Sequence, residues 1–290
     1  MAVIAVAACR THPKPSRSNA AYIKALAELG AEPRILQWNA DPFDAFLACD
    51  AVVLRQTWDY QDDPGGFAAW LVRLSRSRAV VLNAPHLAIW NNDKRSLREL
   101  GAAGIEIPRT EEVMAGAAAG VFAKLGADRV VLKPAFGGSG VGVRIADADT
   151  ISSALVEAVE EAPGRPMMVQ EYLPEIAHGE WSLAFAAGAF SHAVRKTPKS
   201  GEFRVNARFA PETLRLDPPA AVLATAVRIH DEFCKDALYA RIDGVVRAGR
   251  FVCTELELTD PDLHLDRAPG AAACLAAATL ARLRQSSAPG

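Results

Sequence analysis

The chain has 290 residues, half of them hydrophobic, which is enough to bury more than one core. Its 32 Lys and Arg residues nearly balance its 34 Asp and Glu residues and are spread along the sequence. This balance argues against a nucleic-acid partner and favours a small charged metabolite. No stretch reaches the roughly 20 apolar residues of a membrane span, and five widely separated cysteines predict free thiols in a reducing compartment. We therefore expect a cytoplasmic protein.

Short apolar runs alternate with helical patterns over the first 85 residues. The predicted strands are residues 3–8, 33–38, 51–54 and 79–82, and the predicted helices are residues 19–29 and 66–75. Such alternation is typical of a parallel sheet covered by helices. Residues 1–85 are therefore predicted to form an α/β lobe.

The remaining sequence is predicted to form two further lobes, residues 86–173 and residues 174–290. A helix after residue 86 is expected to carry Asn92 to Arg95 and to end near Gly101 and Gly104. Strands are then predicted at residues 130–133, 141–144, 167–172, 180–186, 192–196, 239–246 and 250–258. Helices are predicted at residues 151–161, 219–234 and 271–283.

A glycine-rich loop follows the strand at residues 130–133. Lys133 stands at the end of that strand, and the loop contains Gly137, Gly138, Ser139 and Gly140. Glycines let backbone N–H groups converge on phosphate oxygens, and the lysine can neutralise their charge. The loop is neither a Walker motif nor a protein-kinase loop, and a dinucleotide fingerprint would be followed by a helix rather than a strand. A flexible hairpin turn is the alternative.

Three carboxylates near the C-terminus form the second chemical signal. Asp243 lies on one predicted strand, and Glu255 and Glu257 alternate on the next, so both glutamates point to one face. Like charges placed side by side repel each other unless a cation lies between them. Magnesium prefers such oxygen ligands, so these residues predict a magnesium site. A solvated strand face is the alternative.

These signals occur in the order found in ATP-grasp enzymes, and the sequence resembles the glutathione synthetase and D-alanine ligase branch over about residues 90–260. The resemblance implies an α/β chain with the ATP-grasp fold, in which an N-terminal parallel-sheet lobe is followed by two α+β lobes that enclose ATP. It assigns adenine to Glu171, Tyr172 and Leu173 and ribose to Glu180. It assigns the ATP phosphates to Lys94, Lys133, Gly137, Gly138, Ser139, Gly140 and Lys196.

The resemblance also implies the catalytic residues. Asp243, Glu255 and Glu257 would hold two magnesium ions, although close relatives often carry Asn at the position of Glu257. Arg241 would stabilise charge on the transferring phosphoryl group. Arg204 and Asn206 resemble the loop that meets the substrate carboxylate. Exposed loop cations are the alternative reading of Lys196, Arg204 and Arg241.

Residues 54–60 follow a strand of the first lobe, and loops at this end of an α/β sheet line ligand crevices. Arg55, Trp58, Asp59 and Tyr60 are therefore predicted to grip an amino-acid-like substrate. Together with Asn-Asn-Asp-Lys at residues 91–94 and Glu-Leu-Glu-Leu-Thr-Asp-Pro at residues 255–261, this segment resembles ATP-grasp cyclo-ligases of the O-ureido-serine type, which form cycloserine. Packing between lobes is the alternative for the two aromatic residues.

The expected function is an ATP- and Mg²⁺-dependent carbon–nitrogen ligase. It would activate a small amino-acid-like carboxylate as an acyl phosphate for attack by nitrogen, and release ADP and phosphate. One alternative is the same chemistry within one molecule, which closes a ring and would belong to antibiotic biosynthesis. The other is a non-catalytic module that senses ATP. The sequence leaves the oligomeric state open, with a homo-oligomer as one option.

Overall fold

The computed structural model describes residues 1–113 and 120–286. Its first lobe is a four-stranded parallel sheet in the order β2-β1-β3-β4, as the alternating pattern predicts. The elements of this lobe are β1 (Val3–Ala8), α1 (Arg17–Glu28), β2 (Glu32–Gln37), α2 (Phe43–Leu47), β3 (Ala51–Leu54), α3 (Pro64–Ser75) and β4 (Val80–Leu82). Ser16 starts α1 by accepting the N–H of Asn19. Tyr22 and Leu26 on its inner face are fully buried against β1.

The central lobe is an antiparallel sheet in the order β5-β8-β6-β7. Two short helices, α4 (Pro85–Asn91) and α5 (Leu97–Ala102), connect the first lobe to it. The lobe itself consists of β5 (Thr110–Val113), α6 (Val121–Leu125), β6 (Val130–Pro134), β7 (Arg144–Ala146), α7 (Ile151–Glu161) and β8 (Met167–Glu171). Leu155 and Ala158 on one face of α7 join Leu132 and Val169 of the sheet in one apolar core.

The third lobe is an antiparallel sheet in the order β11-β10-β9-β12-β13. It contains β9 (Glu180–Ala186), β10 (Ala189–Thr197), β11 (Glu212–Arg215), α8 (Ala220–Phe233), β12 (Tyr239–Arg247), β13 (Arg250–Glu257) and α9 (Ala271–Ser286). Its core includes Leu97 and Leu100 of α5, so the connecting helices pack on this sheet. Helix α9 packs instead on α1, where the hydroxyls of Tyr22 and Thr279 lie 2.8 Å apart.

One helix prediction is wrong, because α4 ends at Asn91 and a short 3-10 turn, Lys94–Ser96, separates it from α5. Asp93 is extended, and its side chain accepts the N–H of Arg95. The N–H of Lys94 donates to the Ala135 carbonyl across the lobes at 2.9 Å, not to its own helix. This break brings Lys94 beside the end of β6, the strand that carries Lys133.

The strand after the glycine-rich loop also begins later than predicted, at Arg144 rather than at residue 141. Gly140 and Gly142 adopt φ values of +72° and +68°, which lie outside the strand region. The loop is therefore longer than the sequence pattern indicates. The sequence also missed the short elements α2, α6, β5 and β11, each of only four or five residues.

None of the helices in the described ranges is long and apolar enough to cross a membrane. Residues 114–119 within the predicted lobe 86–173, and residues 287–290 at the end of the predicted lobe 174–290, lie outside the described residues.

Candidate active site

Two adjoining cavities lie between the lobes. One, here called the hinge cavity, is bordered by the segment that follows β8. The other, here called the front cavity, is bordered by the glycine-rich loop and the first lobe. The two cavities share the lining residues Lys133, Lys196, Val205, Asn206, Arg241, Thr254 and Glu255. They therefore form one continuous cleft, and the lining that both cavities share includes the charged residues Lys133, Lys196, Arg241 and Glu255.

The hinge cavity has apolar walls and a buried acid at its edge. Val131, Tyr172, Leu173 and Val245 line it, as an aromatic base requires. The carboxylate of Glu171 is bound by Arg109 at 2.6 Å and by Arg247 at 3.2 Å. These ion pairs occupy the Glu171 side chain, and its backbone N–H donates to the Arg109 carbonyl at 2.9 Å, so the segment that follows β8 remains for the predicted adenine contact.

Glu180, predicted to meet the ribose, also lines the hinge cavity. Its carboxylate lies 2.8 Å from the Lys196 ammonium and accepts a hydrogen bond from Thr254 at 2.9 Å. Thr254 is the extra residue of a β-bulge, because Asp243 pairs with Glu255 whereas Gly244 pairs with Cys253. A side chain at Gly244 would overlap the Val252 carbonyl, so glycine is required beside this bulge.

The three predicted metal ligands come together in the structure. One carboxylate oxygen each from Asp243, Glu255 and Glu257 lie within 4.8 Å of one another. Antiparallel pairing of β12 and β13 places Asp243 opposite Glu255 and Arg241 opposite Glu257. The alternation along both strands therefore points all four side chains to the same face. An oxygen-only donor set of this kind fits Mg²⁺.

Cations balance these carboxylates unequally. Arg241 lies 2.8 Å from Asp243 and 2.6 Å from Glu257, and Lys94 contacts Glu255. Burial disfavours the charged form of Asp243, but Arg241 and Lys196 outweigh it and hold the pKa of this carboxyl below its ordinary value. Burial raises the pKa of Glu257 to about 8, although Arg241 opposes the shift. A further cation would relieve this imbalance.

The two predicted phosphate lysines reach the same cavity. Lys94 and Lys133 both line the front cavity, and the Lys133 ammonium donates to Gln170 at 3.0 Å. Burial, reinforced by the nearby charge of Lys94, lowers the pKa of Lys133 to about 8. Two close ammonium groups in a buried position are suited to an anionic ligand.

The glycine-rich loop lies across the front cavity, and Gly137, Gly138 and Ser139 line it. Gly140 packs so closely on the third lobe that an added Cβ would lie 2.8 Å from Asn206 Oδ1. Asn206 lines both cavities, whereas Arg204 lines the hinge cavity and is paired with Glu202 at 2.9 Å.

Only two of the four predicted substrate residues reach the cleft. Trp58 and Tyr60 line the front cavity. Arg55 is fully buried and donates to Asn19 and to the Pro261 carbonyl. Asp59 is also buried and accepts hydrogen bonds from Trp38 and Asn39, each at 2.8 Å. The prediction that Arg55 and Asp59 grip the substrate is therefore corrected, because both side chains are buried away from the cleft: Arg55 donates to Asn19 and across the lobes to Pro261, and Asp59 is bonded within the first lobe.

The sequence missed polar residues of the front cavity that follow β13. Asp260, Asp262 and His264 line it, and the Trp58 indole donates to the Asp260 carbonyl at 3.0 Å. Burial raises the pKa of Asp260 to about 6 and lowers that of His264 to about 4. The run Thr-Asp-Pro-Asp-Leu-His at residues 259–264 was the available signal, because it directly follows the metal-binding strand.

Two family models match the chain side by side. The N-terminal domain of D-cycloserine synthetase DcsG matches residues 4–83, and the ATP-grasp domain of prokaryotic glutathione synthetase matches residues 114–230. The first match coincides with the parallel-sheet lobe. The second covers the glycine-rich loop and the hinge.

Curated relatives agree with both models. The cycloserine biosynthesis protein DcsG of Streptomyces lavendulae is 27% identical over 286 residues, which are 90% of this chain and 92% of DcsG. Glutathione synthetase of Prochlorococcus marinus is 35% identical over 158 residues, which are 52% of this chain and 49% of that enzyme. The match thus spans about half the length of this glutathione synthetase but nearly all of DcsG.

Solved structures show the same fold. The crystal structure of D-cycloserine synthetase DcsG has a TM-score of 0.83 at 24% identity, covering 97% of this chain and 99% of that one. A D-alanine–D-alanine ligase of Bacillus anthracis complexed with ATP has a TM-score of 0.72 at 19% identity, covering 98% of both chains. The predicted fold class and the predicted resemblance are therefore confirmed, because the chain matches the ATP-grasp domain of glutathione synthetase in sequence and has the fold of DcsG over nearly its whole length.

Proposed function

We propose that the chain is an ATP- and Mg²⁺-dependent ligase that activates the carboxylate of a small amino-acid-like molecule for attack by nitrogen. One observation carries this proposal. A set of charged side chains lines one or both of the adjoining cavities: Lys94, Lys133, Arg241, Asp243, Glu255 and Glu257. This arrangement suits a nucleotide base on one side, a substrate on the other, and phosphates between them.

Each part of the cleft has a chemical role in the proposal. Adenine occupies the hinge cavity, with ribose near Glu180. Lys94, Lys133 and Lys196 neutralise the phosphates, and Asp243, Glu255 and Glu257 hold two magnesium ions. When bound, ATP supplies the phosphoryl group and Mg²⁺ screens its negative charge.

The residues of the chain provide binding, orientation and charge, because no protein nucleophile is needed. Arg241 is buried and lines both cavities, so its guanidinium faces the place where phosphoryl charge develops. Asn206 lines both cavities and orients the substrate carboxylate, and Arg204 lies near it in the hinge cavity. A carboxylate oxygen bonds to the terminal phosphorus and ADP leaves. Nitrogen then bonds to the acyl carbon of the acyl phosphate, phosphate leaves, and nitrogen loses a proton.

The front cavity supports a substrate that carries both charges. Lys94 and Lys133 line it, and so do Asp260 and Asp262, with the Asp260 carbonyl accepting from the Trp58 indole. A carboxylate is attracted to the lysines and an amino group to the aspartates. These features support an amino-acid-like molecule.

Ring closure within one substrate molecule is the second candidate, and the match over residues 4–83 favours it. That lobe contributes Trp58 and Tyr60 to the front cavity. The relative that the chain matches nearly end to end is named for cycloserine biosynthesis. In this case the chain would act in antibiotic biosynthesis in the cytoplasm.

Phosphate release from ATP and Mg²⁺ tests the proposal, measured against amino acids, short peptides and O-ureido-serine with a mass spectrum of each product. We expect release with ADP formation that depends on one carboxylate. A product lighter than its precursor by one water, or lighter than O-ureido-serine by carbon dioxide and ammonia once the carbamoyl group is hydrolysed, indicates ring closure, and a joined mass indicates ligation. ATP binding without release across the panel would support a sensor instead.

A further inference from the structure

The glycine-rich loop is held by a side chain of the first lobe that none of the roles above includes. The N–H of Gly138 donates to the side-chain carbonyl Oε1 of Gln61. Gln61 lies 77 residues earlier and is only 7% exposed. A glutamine fixed in this way is a specific contact between the lobe that carries Trp58 and the loop that borders the phosphate site.

The same turn of the first lobe makes a second contact with the central lobe. Gln61 lies in a 3-10 turn, Tyr60–Asp62. The guanidinium of Arg165 lies 3.1 Å from Asp62 and borders Gly137, with 10% of its side chain exposed. The turn therefore touches the central lobe both at the glycine-rich loop and beside it.

The turn is also part of the front cavity. Tyr60, its first residue, lines that cavity and stacks on Phe67 at 5.2 Å between ring centroids. A molecule bound against Tyr60 therefore contacts the element that holds Gly138. Movements of the turn and of the glycine-rich loop cannot be independent while the Gln61 hydrogen bond is intact.

Gln61 leaves the other loop amides available for a ligand. Within the described ranges, no acceptor receives the N–H groups of Gly137, Ser139 or Gly140. The far side of the loop is anchored separately, since Gly140 packs against Asn206 and its carbonyl accepts from Arg208 at 3.4 Å. Gln61 thus fixes one amide while three remain for phosphate oxygens.

We propose that Gln61 is a positioning residue that latches the glycine-rich loop to the substrate-binding lobe. This inference rests on the proposed function for its consequence, which is that the latch presents the loop amides to ATP in a prearranged geometry. A prearranged loop loses less conformational entropy when a nucleotide binds. Loss of the latch therefore weakens nucleotide binding.

Hydrogen exchange of the full-length chain without ligand tests the latch itself. Gln61→Leu keeps the size of the side chain but removes the acceptor, and we expect exchange in a peptide spanning residues 134–143 to become roughly 3- to 10-fold faster. Gln61→Glu retains an acceptor and should exchange like the wild type. Asp62→Ala removes only the exposed partner of Arg165 and should have a smaller effect. Unchanged exchange in Gln61→Leu would overturn the proposal.

Calorimetric titration with AMP-PNP and Mg²⁺ tests the consequence. We expect the Kd to rise roughly 3- to 10-fold in Gln61→Leu, as loss of one hydrogen bond implies. A lower Kd would mean that Gln61 competes with phosphate, which contradicts a latch. Neither experiment requires turnover. If no compound in the phosphate-release panel gave phosphate, the ligase proposal would be contradicted, whereas the exchange result would still test the latch.

Discussion

The strand pair β12 and β13 and the segment at residues 54–60 were both predicted to carry functional side chains, with different success. On the strand pair, Asp243, Glu255 and Glu257 meet within 4.8 Å. In residues 54–60, Trp58 and Tyr60 reach the cavity while Arg55 and Asp59 turn inward. The period of a strand determines which face each residue occupies, whereas a loop has no such rule.

The two regions also differ in the role that we expect for their side chains, which is turnover for the strand pair and stability for the buried residues of 54–60. The carboxylates of the strand pair line the shared part of the cleft or lie beside it, but Asp59 holds Trp38 and Asn39 in the first lobe. Substitutions in the first group should change turnover, and those in the second should change stability. The predictions below test this division.

The largest effect is expected for Glu255→Gln, which removes one charge from the metal site without changing its shape. We predict a fall in kcat of roughly 10³-fold, as for the loss of a group that stabilises charge in the transition state. Phosphate release under saturating ATP measures it. The matched control is Glu112→Gln, an exposed carboxylate on β5, which should keep full activity. Equal activity of the two variants would contradict the assignment of Glu255.

Asp59→Ala should act on stability. It leaves the buried N–H of Trp38 and the partly buried amide of Asn39 without their acceptor, so we expect the free energy of unfolding to fall by about 3 kcal/mol. Urea unfolding followed by fluorescence measures it. Asp62→Ala, whose side chain is 65% exposed, should cost less than about 1 kcal/mol. If the Asp59→Ala protein were stable but had a strongly raised substrate KM, Asp59 would belong to the substrate site.

Unlike Asp59→Ala, Trp58→Ala should change substrate binding rather than stability. It removes an aromatic wall of the front cavity, so the substrate KM should rise roughly 10-fold while the KM for ATP changes little. Steady-state kinetics with the carboxylate that supports phosphate release measures both constants. If only the unfolding free energy changed, Trp58 would be a packing residue.

The smallest effect concerns pH. Burial and the nearby Lys94 lower the pKa of Lys133 to about 8, so this lysine loses its charge as the pH rises through that value. The kcat/KM for ATP should therefore fall several-fold between about pH 7 and about pH 9. In Lys133→Arg the guanidinium stays charged, and the fall should disappear. The same decline in both proteins would exclude Lys133 as its origin.

The sequence predicted the three sheets and the positions of the lysines and carboxylates, because regular strands and a glycine-rich loop leave local patterns. It could not predict contacts that depend on how lobes meet. The break before Lys94 follows from its hydrogen bond to Ala135 across the lobes, and Glu171 is occupied by Arg109 and Arg247 from distant segments. Such contacts have no local signature.

In the proposed reaction, a substrate carboxylate receives the terminal phosphoryl group of ATP. The most direct measurement uses this substrate labelled with ¹⁸O in its carboxylate, with mass spectrometry of the phosphate released. We expect one ¹⁸O atom in each phosphate, because the oxygen that bonds to phosphorus leaves with it when nitrogen attacks the acyl carbon. Phosphate without the label, or label found in AMP, would contradict it.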